Sequence, residues 1–127
     1  MTPAPTKPGI QFAGNAAWGA YSQPEMLVWA RWNQDLGLPV RVLFAALGRH
    51  DRAGHARFAP GELAEVLGVV DLTTGERRKA SPSSVSRSIR KAKSIGLIAE
   101  PSNAKCLVLG RHAFQKARGS LTECRYH

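Results

Sequence analysis

Residues 81–100, SPSSVSRSIRKAKSIGLIAE, decide how this chain is read. Ser81 followed by Pro82 is a helix start. A serine hydroxyl accepts a hydrogen bond from a free backbone N–H, and proline suits the first turn, where its missing N–H has no partner to lose. Val85, Ile89 and Ala92 stand at i, i+4 and i+7 and form a narrow apolar seam. Ser83, Ser84, Arg87, Arg90 and Lys91 point away from it. Gly96 supplies a stop, Leu97–Ala99 read as a strand, EPSNA as a turn, and Cys106–Leu109 as the returning strand of a β-hairpin. The spacing predicts a helix over 82–95, apolar beneath and cationic above.

The charge around this helix is concentrated. The 127 residues hold 18 Lys and Arg against nine Asp and Glu, a net charge of +9. Residues 60–76 carry Glu62, Glu65, Asp71 and Glu76 and no cation, whereas 77–93 carry Arg77, Arg78, Lys79, Arg87, Arg90, Lys91 and Lys93 and no acid. A scattered excess would serve solubility; a clustered one is the footprint of a polyanionic partner.

Upstream, residues 1–23 are rich in Pro, Gly and Ala and read as a flexible or extended arm, which Trp18 and Tyr21 could dock onto the domain. A helix is expected over 24–36, started by Pro24 and stopped by Gly37, with Trp29 and Trp32 as core aromatics or as the seam of a homodimer. A stronger helix follows, with Val40, Leu43, Phe44 and Leu47 on one stripe and Gly48 at its end. HARFA reads as a short strand, and residues 60–67 as a third helix started by Pro60 and closed by a left-handed Gly68. VDLTTGERRKA reads as a polar loop with a turn at Thr74–Gly75. The segment 113–127 is basic and of undecided structure.

The order helix, strand, helix, basic helix, hairpin resembles the winged helix-turn-helix family, over about residues 39–112 of a domain spanning 24–112. The most specific part is SPSSVSRSIRKAKSIGLIAE, residues 81–100, which looks like a recognition helix and first wing strand and carries S-x-S-x-V-S-R-x-I from Ser81 to Ile89. The resemblance implies a mainly α fold with a small β-hairpin, and a helix at 82–95 lying in the major groove of double-stranded DNA. It turns Val85 and Ile89 inward and makes Ser83, Ser84 and Arg87 the base-reading candidates. Arg77, Arg78, Lys79, Arg90, Lys91, Lys93 and Lys105 are the phosphate candidates. The connection between the third and basic helices, about a dozen residues, exceeds the three or four usual in this motif. The wing turn is short, with Lys105 as its one nearby cation.

The implied function is sequence-specific DNA binding, as a transcriptional regulator or as a plasmid- or phage-type replication or partition protein. An RNA-binding or protein-interaction role for the same fold is the reading from a different class. It has less support, because the basic stretch offers no aromatic for base stacking. No apolar run approaches the roughly 20 residues that span a bilayer, so no membrane contact is expected and the cytoplasm, on the nucleoid when DNA-bound, is the expected location. Cys106, His112, Cys124 and His127 make a C-x5-H-x11-C-x2-H spacing that matches no standard zinc finger. No metal or other cofactor is expected, and the absence of a phosphate loop or a nucleophile–base set argues against an enzyme.

Overall fold

The structure, a computed structural model, describes residues 19–110 and Tyr126. Expectations for Trp18, His112, Cys124 and His127, and for the arm before residue 19, lie outside the described residues, as does all of 113–127 except Tyr126. Helices α1 (Gln23–Trp32), α2 (Leu38–Arg49), α3 (Glu62–Val66) and α4 (Pro82–Ser94) alternate with short strands β1 (His55–Arg57), β2 (Val69–Val70), β3 (Arg77–Arg78) and β4 (Cys106–Val108). The described residues are thus mainly helical, with β1 antiparallel to β4 and β2 antiparallel to β3. None of their helices is long and apolar enough to cross a membrane.

Helix α1 begins where the Glu25 N–H donates to Ser22 Oγ, with Pro24 in the first turn. It ends at Trp32 rather than at residue 36. Gln34 has left the helix to accept from the Val70 N–H at 3.3 Å and to donate to the Gly68 carbonyl at 3.4 Å. Helix α2 packs antiparallel on α1 and runs through Gly48 to Arg49, so Gly48 does not end it. A Cβ at Gly48 would lie 2.6 Å from Leu27 Cγ and 2.8 Å from the Leu27 backbone nitrogen; glycine is there to let the two helices touch. Gln23 secures the same end of this pair by donating to the Leu47 and His50 carbonyls, both at 3.1 Å. Tyr21 does dock: its hydroxyl bonds Nε2 of the buried His50.

The core forms where α2, α3, α4 and β4 meet. Val42, Ala45, Ala46, Leu63, Val66, Leu67, Val85, Ile89, Ala92 and Leu107 are all buried there. Arg49 ties α3 to α2 by an ion pair to Glu62 at 2.6 Å and stacks over Phe58 at 4.7 Å. The hydrogen bond from Arg49 holds the Glu62 carboxyl below its usual pKa. The stabilisation from this pair is therefore present above the unfolded-state pKa of about 4.3 and is lost as pH falls through the lower folded value.

The β-structure differs from the expected hairpin after the basic helix. Strand β4 pairs with β1, with Ala56 opposite Leu107 and Arg57 opposite Cys106. The segment 97–99 is not a strand: a single bond, Ala99 N–H to the Val108 carbonyl at 2.7 Å, holds it to β4. Its tight turn is set instead by Asn103, whose Oδ1 accepts from the Lys105 and Cys106 N–H groups. A true hairpin, β2–β3, stands where a polar loop was expected, between α3 and α4, with Val69 opposite Arg78 and Gly75 turning it at φ +74°.

Gly68 does not take the left-handed conformation expected of it; that conformation falls at Gly61, ahead of α3. A Cβ on Gly68 would sit 2.9 Å from both Arg77 Cζ and the Arg78 carbonyl oxygen, so its role is close approach of the hairpin base. Beneath it lies Arg41, 2% exposed, donating to the carbonyls of Ala30 (2.7 Å), Arg31 (3.1 Å), Val66 (3.3 Å) and Gly68 (2.9 Å). Burial, and secondarily the charge of Arg77, lowers its pKa. Replacing Arg41 with Met would take a charged donor from four carbonyls; those of Arg31 and Val66 keep Arg77 and that of Gly68 keeps Gln34, whereas that of Ala30 loses its side-chain donor. Arg41→Met is expected to destabilise the domain by about 3–5 kcal/mol, the cost of breaking a buried charged network, read as a drop in the urea midpoint. An unchanged midpoint would refute this role.

Candidate nucleic-acid interface

Helix α4 forms as its sequence dictates. Ser81 has extended backbone (φ −69°, ψ 153°), and its Oγ accepts from the Ser84 N–H at 3.1 Å. Gly96, at φ +80°, closes the other end: its N–H bonds the Lys93 carbonyl at 3.1 Å, and the Leu97 N–H bonds the Ala92 carbonyl at 2.9 Å. That pair of bonds is a Schellman motif. Val85, Ile89 and Ala92 are buried, as is Ser88, whose hydroxyl donates to the Ser84 carbonyl at 2.6 Å.

The opposite face is open. Ser83, Arg87, Arg90 and Lys91 are exposed, Ser84 and Lys93 half-buried. Arg87 lies back along its own helix, with Nε 3.4 Å from the Ser83 carbonyl and Nη2 3.5 Å from Ser84 Oγ. Bonds this long leave the guanidinium free to extend. Arg87 therefore sits one turn into α4, beside Ser83 and Ser84, and the three base-reading candidates form one surface at the helix start. Arg78 and Lys79 are exposed immediately before α4, and Lys105 is exposed on the turn that precedes β4, its ammonium 6.0 Å from the Tyr126 ring.

Arg77 departs from this set. Its guanidinium turns inward, donating to Glu65 Oε1 (3.1 Å), the Val66 carbonyl (2.8 Å) and the Arg31 carbonyl (3.2 Å), and it lies 5.1 Å from the Trp32 ring centre. It closes the base of the hairpin and is not placed to meet a phosphate. Strand alternation is the physical reason: consecutive residues face opposite sides, so Arg77 points in and Arg78 out.

The ion pairs sharpen the division. Among the described residues they are Arg31–Glu65, Arg49–Glu62, Arg57–Asp51 and Arg77–Glu65. None involves Arg78, Lys79, Arg87, Arg90, Lys91, Lys93 or Lys105. The acidic residues of α3 are counterions for Arg31, Arg49 and Arg77, while the cations on and beside α4 have none. A groove of about 660 Å³ also opens between α3, α4 and the turn at 100–104. Leu63, Val85 and Ile89 form its floor, Arg90 and Lys93 its α4 wall, and Asn103 the facing wall. Lys79 Nζ reaches its rim, 4.0 Å from where a Cβ on Gly61 would stand. Sequence reading missed this groove and Asn103. Its one visible signal was the helical spacing of Pro82, Ser86, Arg90 and Lys93 along a single side of α4.

Among the described residues, no group of three or more His, Cys, Asp or Glu is placed to hold a metal ion. Buried Cys106 faces His55 Nδ1 at 3.5 Å across the β1–β4 pair. Compared with known proteins, the chain matches no protein-family profile, and neither the curated proteins nor the solved structures give a significant match.

The inward and outward cations are expected to respond differently to substitution. Arg77→Ala should lower stability by about 1–3 kcal/mol, because Glu65 and two buried carbonyls lose a charged donor. Arg78→Ala and Lys79→Ala should stay within about 0.5 kcal/mol of the parent. Thermal or urea unfolding of the three variants checks the contrast, and equal effects would contradict it.

Proposed function

We propose that this protein is a winged-helix, sequence-specific binder of double-stranded DNA, with α4 as the helix that lies in the major groove. The observation that carries the reading is the concentration of unpaired cations: among the described residues Arg78, Lys79, Arg87, Arg90, Lys91, Lys93 and Lys105, all on or beside α4, are in no ion pair, whereas Arg31, Arg49, Arg57 and Arg77 are each paired with a carboxylate. An exposed, unneutralised row of Lys and Arg is what displaces condensed counterions from phosphates. The helix that bears the row also presents Ser83, Ser84 and Arg87 at its start, where a helix in the major groove meets base edges.

The order of elements supports the fold part of this reading. Helix α2, β1, α3, α4 and β4 follow in winged-helix sequence, with β1 pairing to β4. The turn at 100–105 occupies the wing position but is short, and its one cation, Lys105, reaches backbone rather than the minor-groove floor. The β2–β3 hairpin takes the place of the usual tight turn between the two helices of the motif. It brings Arg78 and Lys79 beside the start of α4, as phosphate contacts. Arg87 is the bidentate candidate for guanine; Arg90, Lys91 and Lys93 continue the phosphate row. Regulation of transcription is the role we favour for such a domain. Replication or partition on repeated sites is distinguished from it by whether the selected site is a palindrome or an array. The exposed surface of α4 carries no aromatic side chain, which favours duplex DNA over single-stranded RNA.

Selection from a random duplex pool is expected to yield a defined site. On that site log K should fall with log salt at a slope of about −4.5 to −6.3, as expected if five to seven of these cations meet phosphates. Arg87→Ala is expected to lose about 1–3 kcal/mol and relax one base pair, whereas Lys91→Ala weakens all sequences alike. A pool that enriches nothing, or equal affinity for structured RNA in competition, would contradict the proposal.

A further inference from the structure

Helix α1 has two apolar faces. Met26, Leu27 and Ala30 turn toward α2, and Ala30 is fully buried. About half a turn round the helix, Val28, Trp29 and Trp32 face outward at 48%, 43% and 57% exposure. Solvent normally meets polar residues on such a face. Both rings are held in place. Trp29 packs on Phe44 with ring centres 5.5 Å apart and donates from Nε1 to Glu25 Oε1 at 3.3 Å; Trp32 lies against the Arg77 guanidinium. Rings fixed before contact lose little side-chain entropy on docking, as binding hot spots require.

We propose that this face pairs with the same face of a second copy, and that it does so when both copies sit on DNA. The inference rests on the DNA-binding reading above. Charge selects the occupant. The chain as a whole is +9, but along α1 the one charge on the exposed face is Glu25, and the neighbouring Arg31 and Arg77 are both held by Glu65. Two copies can therefore meet here without setting free cations against each other, which the α4 surface does not allow. Area decides when they meet. The two tryptophans together expose about one whole indole side chain, roughly 250 Å². With Val28 the face offers about 300 Å² per copy, about 600 Å² for a pair. Stable interfaces bury about 1,200–2,000 Å². The pair is thus too small to persist between free, mutually repelling chains. On a duplex the phosphates neutralise that repulsion, and a neighbouring site sets a millimolar effective concentration.

The test compares duplexes carrying one or two copies of the selected site, over a range of spacings, together with sedimentation of the free chain. The full chain is expected to be monomeric at micromolar concentration and to bind the two-site duplex with about 5- to 150-fold cooperativity at a preferred spacing. Val28→Lys should abolish the cooperativity and leave single-site affinity and thermal stability unchanged. Trp32→Lys is the second variant, should Val28→Lys disturb folding. Cooperativity that survives both variants, its absence at every spacing, or a stable micromolar dimer without DNA overturns the proposal. Should the chain bind neither duplex, it is the DNA reading that fails. Sedimentation at millimolar chain in high salt then tests the face alone: association weakened by Val28→Lys supports self-pairing, and a monomer throughout refutes it.

Discussion

The fold depends on how it satisfies the carbonyl ends of two helices. The last turn of α1 and the end of α3 meet in the interior, where water cannot reach their free carbonyls. Arg41 fills that place from the first turn of α2, donating to Ala30 and Arg31 on one side and to Val66 and Gly68 on the other. Its partners are all backbone oxygens at or near helix C-termini, whose partial negative charge suits a cation. A buried guanidinium is unfavourable unless its donors are used, and here the carbonyls offset the loss of water. Arg77 adds a second fork to the same region and joins it to Glu65, which also holds Arg31. One node thereby fixes α1, α2, α3 and the base of the β2–β3 hairpin relative to one another.

That node explains the charge pattern of the chain. The acidic block at 60–76 and the basic block at 77–93 look in sequence like two opposed surfaces. In the fold, Glu62 pairs with Arg49, and Glu65 is shared by Arg31 and Arg77. Because the hairpin returns the chain with Arg77 inward and Arg78 outward, the internal network ends at Arg77 and the free cations begin at the next residue. The surface proposed to meet DNA is what remains once the fold has used the charges it needs. Rigid placement of α4 follows from the same packing: Val85, Ile89 and Ala92 lock one side of the helix into the core and leave the other fixed in direction.

Local rules carried much of the sequence reading. Helix α2 was legible from its apolar stripe, although Val42, Ala45 and Ala46 are the apolar residues it buries fully, and α4 from a stripe flanked by cap residues; Ser81, Pro82 and Gly96 act as their chemistry suggests. Strand β1 was legible from a short run between turn signals. What was not legible depended on distant partners. Gly48 and Gly68 look like helix stops, yet each is required by a neighbour remote in sequence: Leu27 for one, the Arg77–Arg78 backbone and side chain for the other. The two-residue strands of the β2–β3 hairpin are too short for period-two alternation to register. The pairing of β4 with β1 rather than with 97–99 is a long-range choice that no local pattern encodes. Among the phosphate candidates Arg77 turns inward, which the sequence does not reveal, because a guanidinium buried on carbonyls and one exposed to solvent are the same letter in a sequence.

The central claim is that the outward side of α4, with Arg78, Lys79 and the turn at 103–105, is the surface that meets duplex DNA. The most direct measurement is to follow backbone amide and arginine side-chain resonances by NMR as a short duplex is titrated into the protein. The account expects perturbations along 78–94 and 103–105, with the Arg87 side chain among the largest and the Arg41 and Arg77 guanidinium signals left in place. Perturbations confined to α1 and the β2–β3 tip, or none on α4 at saturating DNA, would contradict it.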